Sequence, residues 1–149
     1  MNGLINKIIG VVLVLVLMVL MLSNVMVAQQ LEARRSIIAE VTNFVDEVTD
    51  TGNLNERDVT DLKMAVNAYG PSCNVDIYRY TRVVEPIPGQ KGKTQTSYVI
   101  SDNIYNWNQG DLVKVHVEEV GFTGLSFFLY ATLHLSLKPV DFGLAGRIR

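Results

Sequence analysis

The chain contains one cysteine and two histidines, and these are the residues that could supply a nucleophile and its base. Cys73 with His116 or His134 would form such a pair only if the base lay within hydrogen-bond reach of the thiol. The stretch "CNVDIYRYTRVV" alternates like a strand and puts Cys73, Val75 and Ile77 on its apolar face. Both histidines fall on the polar faces of their own predicted strands. We therefore predict that thiol and base do not meet, and that the protein is not an enzyme.

A metal or cofactor site is also not expected. In the predicted hairpin His116 and His134 lie four residues out of register, about 13 Å apart at 3.3 Å per residue, too far to share a zinc ion. A single cysteine cannot form an intramolecular disulfide. Two interpretations of Cys73 stay open: a small buried apolar side chain, or an exported thiol that is reactive or pairs with another chain.

Nucleic acid and phosphate are poor candidates for ligands. The chain has 13 Lys and Arg against 15 Asp and Glu, a net charge of −2, so it has no global basic field. Tyr78 and Tyr80 beside Arg79 and Arg82 could stack on bases, but one short basic stretch is weak support. The loop "PGQKGKTQ" lacks the Walker spacing and no helix is predicted after it.

Two helices are predicted to precede the strands. Apolar residues recur at spacings of three and four after residue 30, which predicts one helix from about Leu4 to Val48, ended by Gly52. A second helix is expected after Asn55, with Asp58 in the capping-box position. Its predicted buried stripe consists of Val59, Leu62, Ala65 or Val66, and Tyr69.

Strand-like alternation follows from residue 73 onward. We predict four antiparallel strands, in "CNVDIYRYTRVV", "TSYVIS", "LVKVHVEEV" and "YATLHLSL", with Val113, Val115 and Val117 facing inward. Gly110 and Asp111 are expected to form the turn before the third strand. The stretch "GFTG", with Gly121 and Gly124, is expected to join the third strand to the fourth as a hairpin. The predicted fold class is α+β: a long transmembrane-plus-shaft helix, a short second helix and a sheet of about four strands.

The N-terminal stretch predicts a membrane anchor. Residues 8–22, "IIGVVLVLVLMVLML", lack polar side chains, and the low-polarity run to Ala28 is long enough to cross a bilayer. A cleaved export signal is the alternative, although Met26 fits poorly at −3 of a cleavage site after Ala28. Residues 1–28 are the expected single-pass anchor in the cell membrane, and residues 29–149 are the expected extracytoplasmic head. The positive-inside rule hardly decides this orientation, because Lys7 and the amino terminus on one side nearly balance Arg34 and Arg35 on the other.

Helices in lipid associate by close packing and polar contacts. Within the anchor, Gly10 and the Ser23–Asn24 pair are therefore the expected contact points with a partner helix. This predicts self-association or association with another membrane protein.

The order of these features resembles a known family. A membrane helix running into "VDEVTDTGNLNERD", then "GDLVKVHV" and the tail "FGLAGRIR", is similar to small TadE-like, pilin-like proteins of bacterial tight-adherence pili and related secretion loci. The resemblance covers nearly the whole chain. It implies a minor pilin or pseudopilin, with other pilin-like subunits or pilus-assembly proteins as partners.

The sequence departs from that family at one position. Pilins of that family usually carry a Gly followed five residues later by a Glu. Here the residues five positions after Gly3 and Gly10 are Ile8 and Leu15. This favours an accessory or anchored subunit over a major filament subunit. The alternative function, from a different class, is an anchored extracytoplasmic domain that binds or senses a ligand.

Overall fold

The computed structural model describes residues 2–90, 92–121, 130–131 and 139–149 of the chain. It confirms the α+β class, with two helices followed by a four-stranded antiparallel sheet. The chain divides into two compact units. One contains the residues up to Arg34, and the other, called the head unit below, contains Arg35–Gly121 together with 139–149.

Helix α1 covers Asn2–Thr51 without interruption, slightly longer than predicted. Within the head unit its apolar stripe is buried, with Ile37, Val41 and Val48 at most 2% exposed. Gly52 then ends the helix, because its φ of +61° is left-handed and its N–H donates to the Val48 carbonyl at 2.9 Å. The predicted helix end is confirmed.

Helix α2 covers Glu56–Asn67. Asp58 accepts a hydrogen bond from the Asn55 N–H at 2.9 Å, which is the predicted capping-box contact. Leu62 and Val66 are buried, as expected for the apolar stripe. Tyr69 is not: it lies beyond the last helical turn, is 37% exposed, and its hydroxyl lies 3.0 Å from Glu40 Oε1.

The sheet consists of β1 (Cys73–Pro86), β2 (Thr94–Ser101), β3 (Leu112–Glu119) and β4 (Asp141–Arg147) in the order β2-β1-β3-β4. Val113, Val115 and Val117 on β3 are fully buried, as their alternation predicts. The loop between β1 and β2 is shorter than predicted, because both strands extend into "EPIPGQKGKTQ" and pair as far as Pro86 with Thr94.

The fourth strand is where the sequence interpretation is wrong. Both edges of β3 are occupied, one by β1 and the other by β4, so β4 takes the place of the predicted hairpin partner of β3. Tyr130 and Ala131 are helical rather than extended. The rest of that predicted strand, with His134, and the turn residues 122–124 lie outside the described residues. Gly121 has the expected positive φ, +89°.

The core of the head unit lies between one face of the sheet and the apolar faces of the two helices. Its buried apolar side chains are Ile37, Val41, Phe44, Val45, Val48, Leu54, Leu62, Val66, Cys73, Val75, Val113, Val115, Val117, Val140 and Ile148. Cys73 and Val75 are on the predicted inward face of β1. The same alternation puts Arg79 on that face, where it is 5% exposed.

Candidate functional site

The N-terminal part of α1 presents apolar side chains that nothing in the described structure covers. Every large apolar residue from Leu4 to Val25 is between 38% and 71% exposed. Monomeric soluble proteins rarely expose so large a contiguous apolar surface. This helix is long and apolar enough to cross a membrane, by length and composition.

Gly10 opens a notch in this apolar surface. No atom lies within 4 Å of the position that a Cβ would take there. The notch has a volume of about 500 Å³ and is lined by Lys7, Gly10, Val11, Val14 and Leu15. Missing side-chain volume at a helix surface is what allows two helix backbones to approach closely in lipid.

Ser23 and Asn24 differ in their suitability as contact points. Each bonds its own helix, Ser23 Oγ donating to the Val19 carbonyl at 2.7 Å and Asn24 Nδ2 to the Leu20 carbonyl at 2.9 Å. Ser23 is 7% exposed, whereas Asn24 is exposed. At about 100° per residue Asn24 lies about 40° from Gly10 around the helix, and Ser23 lies on the far side. One partner helix can therefore contact Gly10 and Asn24 but not Ser23.

In the head unit the most polar buried group is an ion pair between β1 and the turn before β3. Arg79 donates to Asp111 Oδ2 from Nε at 2.9 Å and from Nη2 at 2.7 Å. Its Nη1 donates to the Asn103 carbonyl at 3.2 Å, and the guanidinium lies 5.6 Å from the centre of the Trp107 ring. Both side chains of the pair are nearly inaccessible to solvent.

Asp111 joins several chain segments besides Arg79. Its Oδ1 accepts from the Arg82 N–H at 3.0 Å and its Oδ2 from the Asn108 N–H at 3.1 Å, while its carbonyl accepts from the Ile148 N–H at 2.9 Å. Burial works against ionisation, but the hydrogen bonds from Arg82, Arg79 and Asn108 outweigh it and lower the pKa of Asp111. Asp111 therefore joins the three segments β1, β3 and the C-terminus, because its carboxylate binds β1 and its backbone carbonyl binds the C-terminal segment.

Directly beside this join three arginines line an open cleft of about 730 Å³. The cleft, called the arginine cleft below, is formed by Arg82, Gln109, Gly110, Arg147, Ile148 and Arg149. A Cβ at Gly110 would lie 3.2 Å from Arg82 Nη1 and 3.6 Å from Arg147 Nη2, so the two guanidiniums converge above this glycine. Arg149 forms an ion pair with Asp50 at 2.8 Å. Arg82 and Arg147 have no acidic partner among the described residues.

The candidate catalytic residues are arranged as predicted where the structure describes them. Cys73 lies opposite Glu119 on the inner face of the sheet, and His116 lies opposite Asp76 on the outer face. Burial raises the pKa of the Cys73 thiol, and the nearby Glu119 carboxylate raises it further. A protonated, buried thiol away from His116 is a poor nucleophile. Within the described segments no group of three or more His, Cys, Asp or Glu side chains could hold a metal ion.

Sequence reasoning missed the arginine cleft and the buried pair. The buried pair could have been found from the position of Arg79, which alternation puts on the same inward face of β1 as Cys73 and Val75. A charged residue at such a position requires a buried partner. The same alternation puts Arg79 on the opposite face of the sheet from Tyr78 and Tyr80, so it cannot act beside them in stacking on bases. The cleft has no local signal, because its arginines come from β1, the end of β4 and the C-terminus.

Comparison of the chain with protein-family models, with curated proteins and with solved structures gives no match.

We expect Gly110→Ala to lower the free energy of unfolding by about 1–2 kcal/mol, because a φ of +92° is unfavourable for an L-residue with a Cβ. Urea denaturation of the full chain in uncharged detergent, followed by the fluorescence of the single tryptophan, measures it. Gly110→Asn is the control, since Asn tolerates the left-handed region and is expected to cost less. Equal losses would contradict backbone strain as the cause.

Proposed function

We propose that this protein is a membrane-anchored, pilin-like structural or accessory component of a bacterial cell-surface pilus or secretion apparatus. In this proposal the N-terminal part of α1 is a single-pass anchor in the cell membrane and the head is extracytoplasmic. The protein has a non-catalytic role, and its partners are other pilin-like subunits or pilus-assembly proteins.

The observation that carries the proposal is the dual composition of α1. One unbroken helix, Asn2–Thr51, supplies an exposed apolar surface before Arg34 and the buried stripe of the head unit after it. An enzyme or a soluble binding domain does not require its anchor and its core helix to be the same element. A subunit that assembles through its N-terminal helix uses one element for both, since that helix supplies the assembly surface and part of the core of the head. The resemblance to TadE-like proteins supports the same role.

The assembly surface that we assign to the anchor is the face carrying Gly10 and Asn24. The notch at Gly10 admits a neighbouring helix backbone, and Asn24 is exposed on the same side of the helix, about 21 Å further along at 1.5 Å per residue. Between helices in lipid, close approach of backbones is the main source of stability, and a polar contact adds about 0.6 kcal/mol on average. Gly10 is therefore expected to matter more than Asn24.

In-membrane crosslinking of the full chain tests this assignment. Gly10→Leu fills the notch, and we expect it to reduce the crosslinked species several-fold, whereas Asn24→Leu has a smaller effect. Val12→Leu is the matched control, because Val12 lies about 200° around the helix from Gly10 and is likewise exposed.

Three outcomes would count against the proposal. If parent and Gly10→Leu crosslink equally, α1 is a tether and not an assembly surface. If the full chain is monomeric in membranes, the anchored binding or sensing domain becomes the better description. A mature protein that begins at Gln29 would remove the anchor altogether.

A further inference from the structure

The arginine cleft of the head unit carries unbalanced positive charge on a formed surface. Arg82 and Arg147 both point at the space above Gly110, where a side chain would fill the cleft. The only described carboxylate that pairs with its arginines is Asp50, which holds Arg149. Two exposed guanidiniums close to one point repel each other, and an anionic group placed between them relieves that repulsion. The cleft is thus suited to an acidic ligand.

The head unit also carries an acidic surface, whose charge is opposite to that of the arginine cleft. A groove of about 360 Å³ between α1 and α2 is lined by Glu40, Asn43, Phe44, Glu47, Asp58, Asp61, Leu62 and Ala65. Glu47 has no side-chain partner among the described residues, and Asp61 has only a 3.9 Å contact with exposed Arg57. Glu40 and Asp58 are engaged by Tyr69 and by the Asn55 N–H. Glu47 and Asp61 are therefore the carboxylates that are available to an incoming cation.

We propose that the arginine cleft of one head binds the acidic groove of a second copy of this chain. The two surfaces are different patches of one molecule, so the contact is heterologous: one head keeps its acidic groove free and the other keeps its arginine cleft free. A heterologous contact of this kind extends into a ring or an open row of subunits. The inference deepens the proposed structural role, on which it rests, by naming the partner and the surfaces of the head.

Charge complementarity favours a second copy over a small anion. The cleft is large and open, and its guanidiniums come from three separate segments, so one small anion would leave most of it in water. Exposed ion pairs are individually weak, at about 0–1 kcal/mol each. Anchored subunits compensate for this, because confinement to one membrane raises their effective concentration. The contact is accordingly expected to be weak, reversible and sensitive to salt.

A charge swap on the full chain in uncharged detergent tests the inference. Arg82→Glu with Arg147→Glu makes the cleft acidic, and Glu47→Lys with Asp61→Lys makes the groove basic. Sedimentation velocity at about 0.05 M and about 0.5 M salt measures association. We expect the salt-sensitive part of the association to be at least ten-fold weaker in each double variant alone than in the parent at low salt. An equimolar mixture of the two should recover association, because each reversed patch then finds its complement.

The matched control for the cleft variant is Lys93→Glu with Lys114→Glu, which makes the same change in net charge at two exposed positions that line neither surface. We expect it to associate like the parent. Recovery in the mixture also shows that both swapped variants are folded. A mixture that stays as weak as its components would overturn the inference, as would parent association that is unchanged by salt.

The same measurements separate this inference from the proposed function. Association through Gly10 on α1 is apolar, so it persists at high salt and in both swapped variants. If only that salt-insensitive association is seen, the head contact is absent and the structural role stands. If neither form is seen and the full chain is also monomeric in membranes, both proposals fail. Tighter binding of inorganic phosphate than of a second head would assign the cleft to a small anion and overturn the inference.

Discussion

Replacing Asp111 with Asn is expected to lower the free energy of unfolding by about 3–5 kcal/mol, the largest effect expected of a single substitution in the head unit. The substitution keeps the shape of the side chain and removes its charge, so the Arg79 guanidinium is left buried without a counter-charge. The amide also brings two donors to a site where the Arg79 side chain and the backbone N–H groups of Arg82 and Asn108 already donate. Urea denaturation followed by Trp107 fluorescence measures the change, because Trp107 lies against this pair.

Asp61→Asn is the matched control for Asp111→Asn. It removes a carboxylate from an exposed arginine at 3.9 Å, where the expected change is about 0–1 kcal/mol. A loss at Asp111 no larger than the loss at Asp61 would show that the buried pair does not hold the head unit together. The comparison isolates burial, since both substitutions are Asp to Asn beside an arginine.

The pH dependence of stability provides a second readout of the same group. The pKa of Asp111 is lower in the folded protein than its ordinary value of about 3.9. A lowered pKa means that the ionised form contributes stability above the ordinary value, and that this contribution is lost as the pH falls through the lowered one. The difference in stability between parent and Asp111→Asn should therefore be full at neutral pH and shrink below about pH 4.

The elements that were predicted correctly are those whose burial pattern is visible in a short stretch of sequence. The alternation of Val113, Val115 and Val117 predicts a buried strand, and all three valines are fully buried. The periodicity of α1, its end at Gly52 and the capping residue Asp58 are equally local, and each is confirmed. These features depend on a few neighbouring residues, so one sequence is enough to predict them.

Strand β4 was not predicted because its sequence, "DFGLAGR", carries little strand signal. Only Phe142 and Leu144 alternate as apolar side chains, and two glycines interrupt the pattern. The sequence of 130–137 alternates more strongly and led to the predicted fourth strand, whereas the strand that pairs with β3 beside β1 is β4. Competition for a sheet edge is decided by long-range packing, which no local pattern records.

The candidate sites also differ in whether they depend on local sequence or on distant segments of the chain. That Gly10 and Asn24 share a face could be derived from the sequence, because the geometry of one helix determines it; their role in contacting a partner helix stays a prediction. Arg79 could have been found from its inward parity, but its partner Asp111 is 32 residues further along the chain. The arginine cleft depends on where the C-terminus lies beside β1, and therefore on the strand that the sequence failed to predict.

Gly146→Ala is expected to have the second largest effect, a loss of about 3 kcal/mol, at the upper end of the usual cost of overpacking. Gly146 on β4 pairs with Val113 on β3 and faces α1 inside the head unit. A Cβ there would lie 2.5 Å from Thr49 Cγ2 and 2.7 Å from Val45 Cγ1, well inside van der Waals contact. The absence of a side chain at this position allows α1 to pack directly against the strand.

The two methyl groups cannot move aside cheaply. Val45 and Thr49 are β-branched residues in a helix, where χ1 is strongly restricted. Thr49 is held further, because its Oγ1 donates to the Asp46 carbonyl at 2.9 Å. The added methyl group at Gly146 must therefore push the helix away from the sheet, and α1 carries much of the core of the head unit. This rigidity is why a single methyl group is expected to cost so much.

Gly143→Ala on the same strand is the matched control, and the same urea denaturation of the full chain measures both variants. A Cβ at Gly143 would meet its nearest atoms at 3.5 Å or more, which is ordinary contact, so we expect its stability to be unchanged or slightly raised. Thr49→Ser removes the nearer methyl group and keeps the hydroxyl, so Gly146→Ala with Thr49→Ser should recover part of the loss. If Gly146→Ala and Gly143→Ala behaved alike, the close approach of α1 to β4 would not limit the packing of the head unit. If Thr49→Ser gave no recovery, the clash would have to be assigned to Val45 alone, because that methyl group is the only other one within 3 Å of the new side chain.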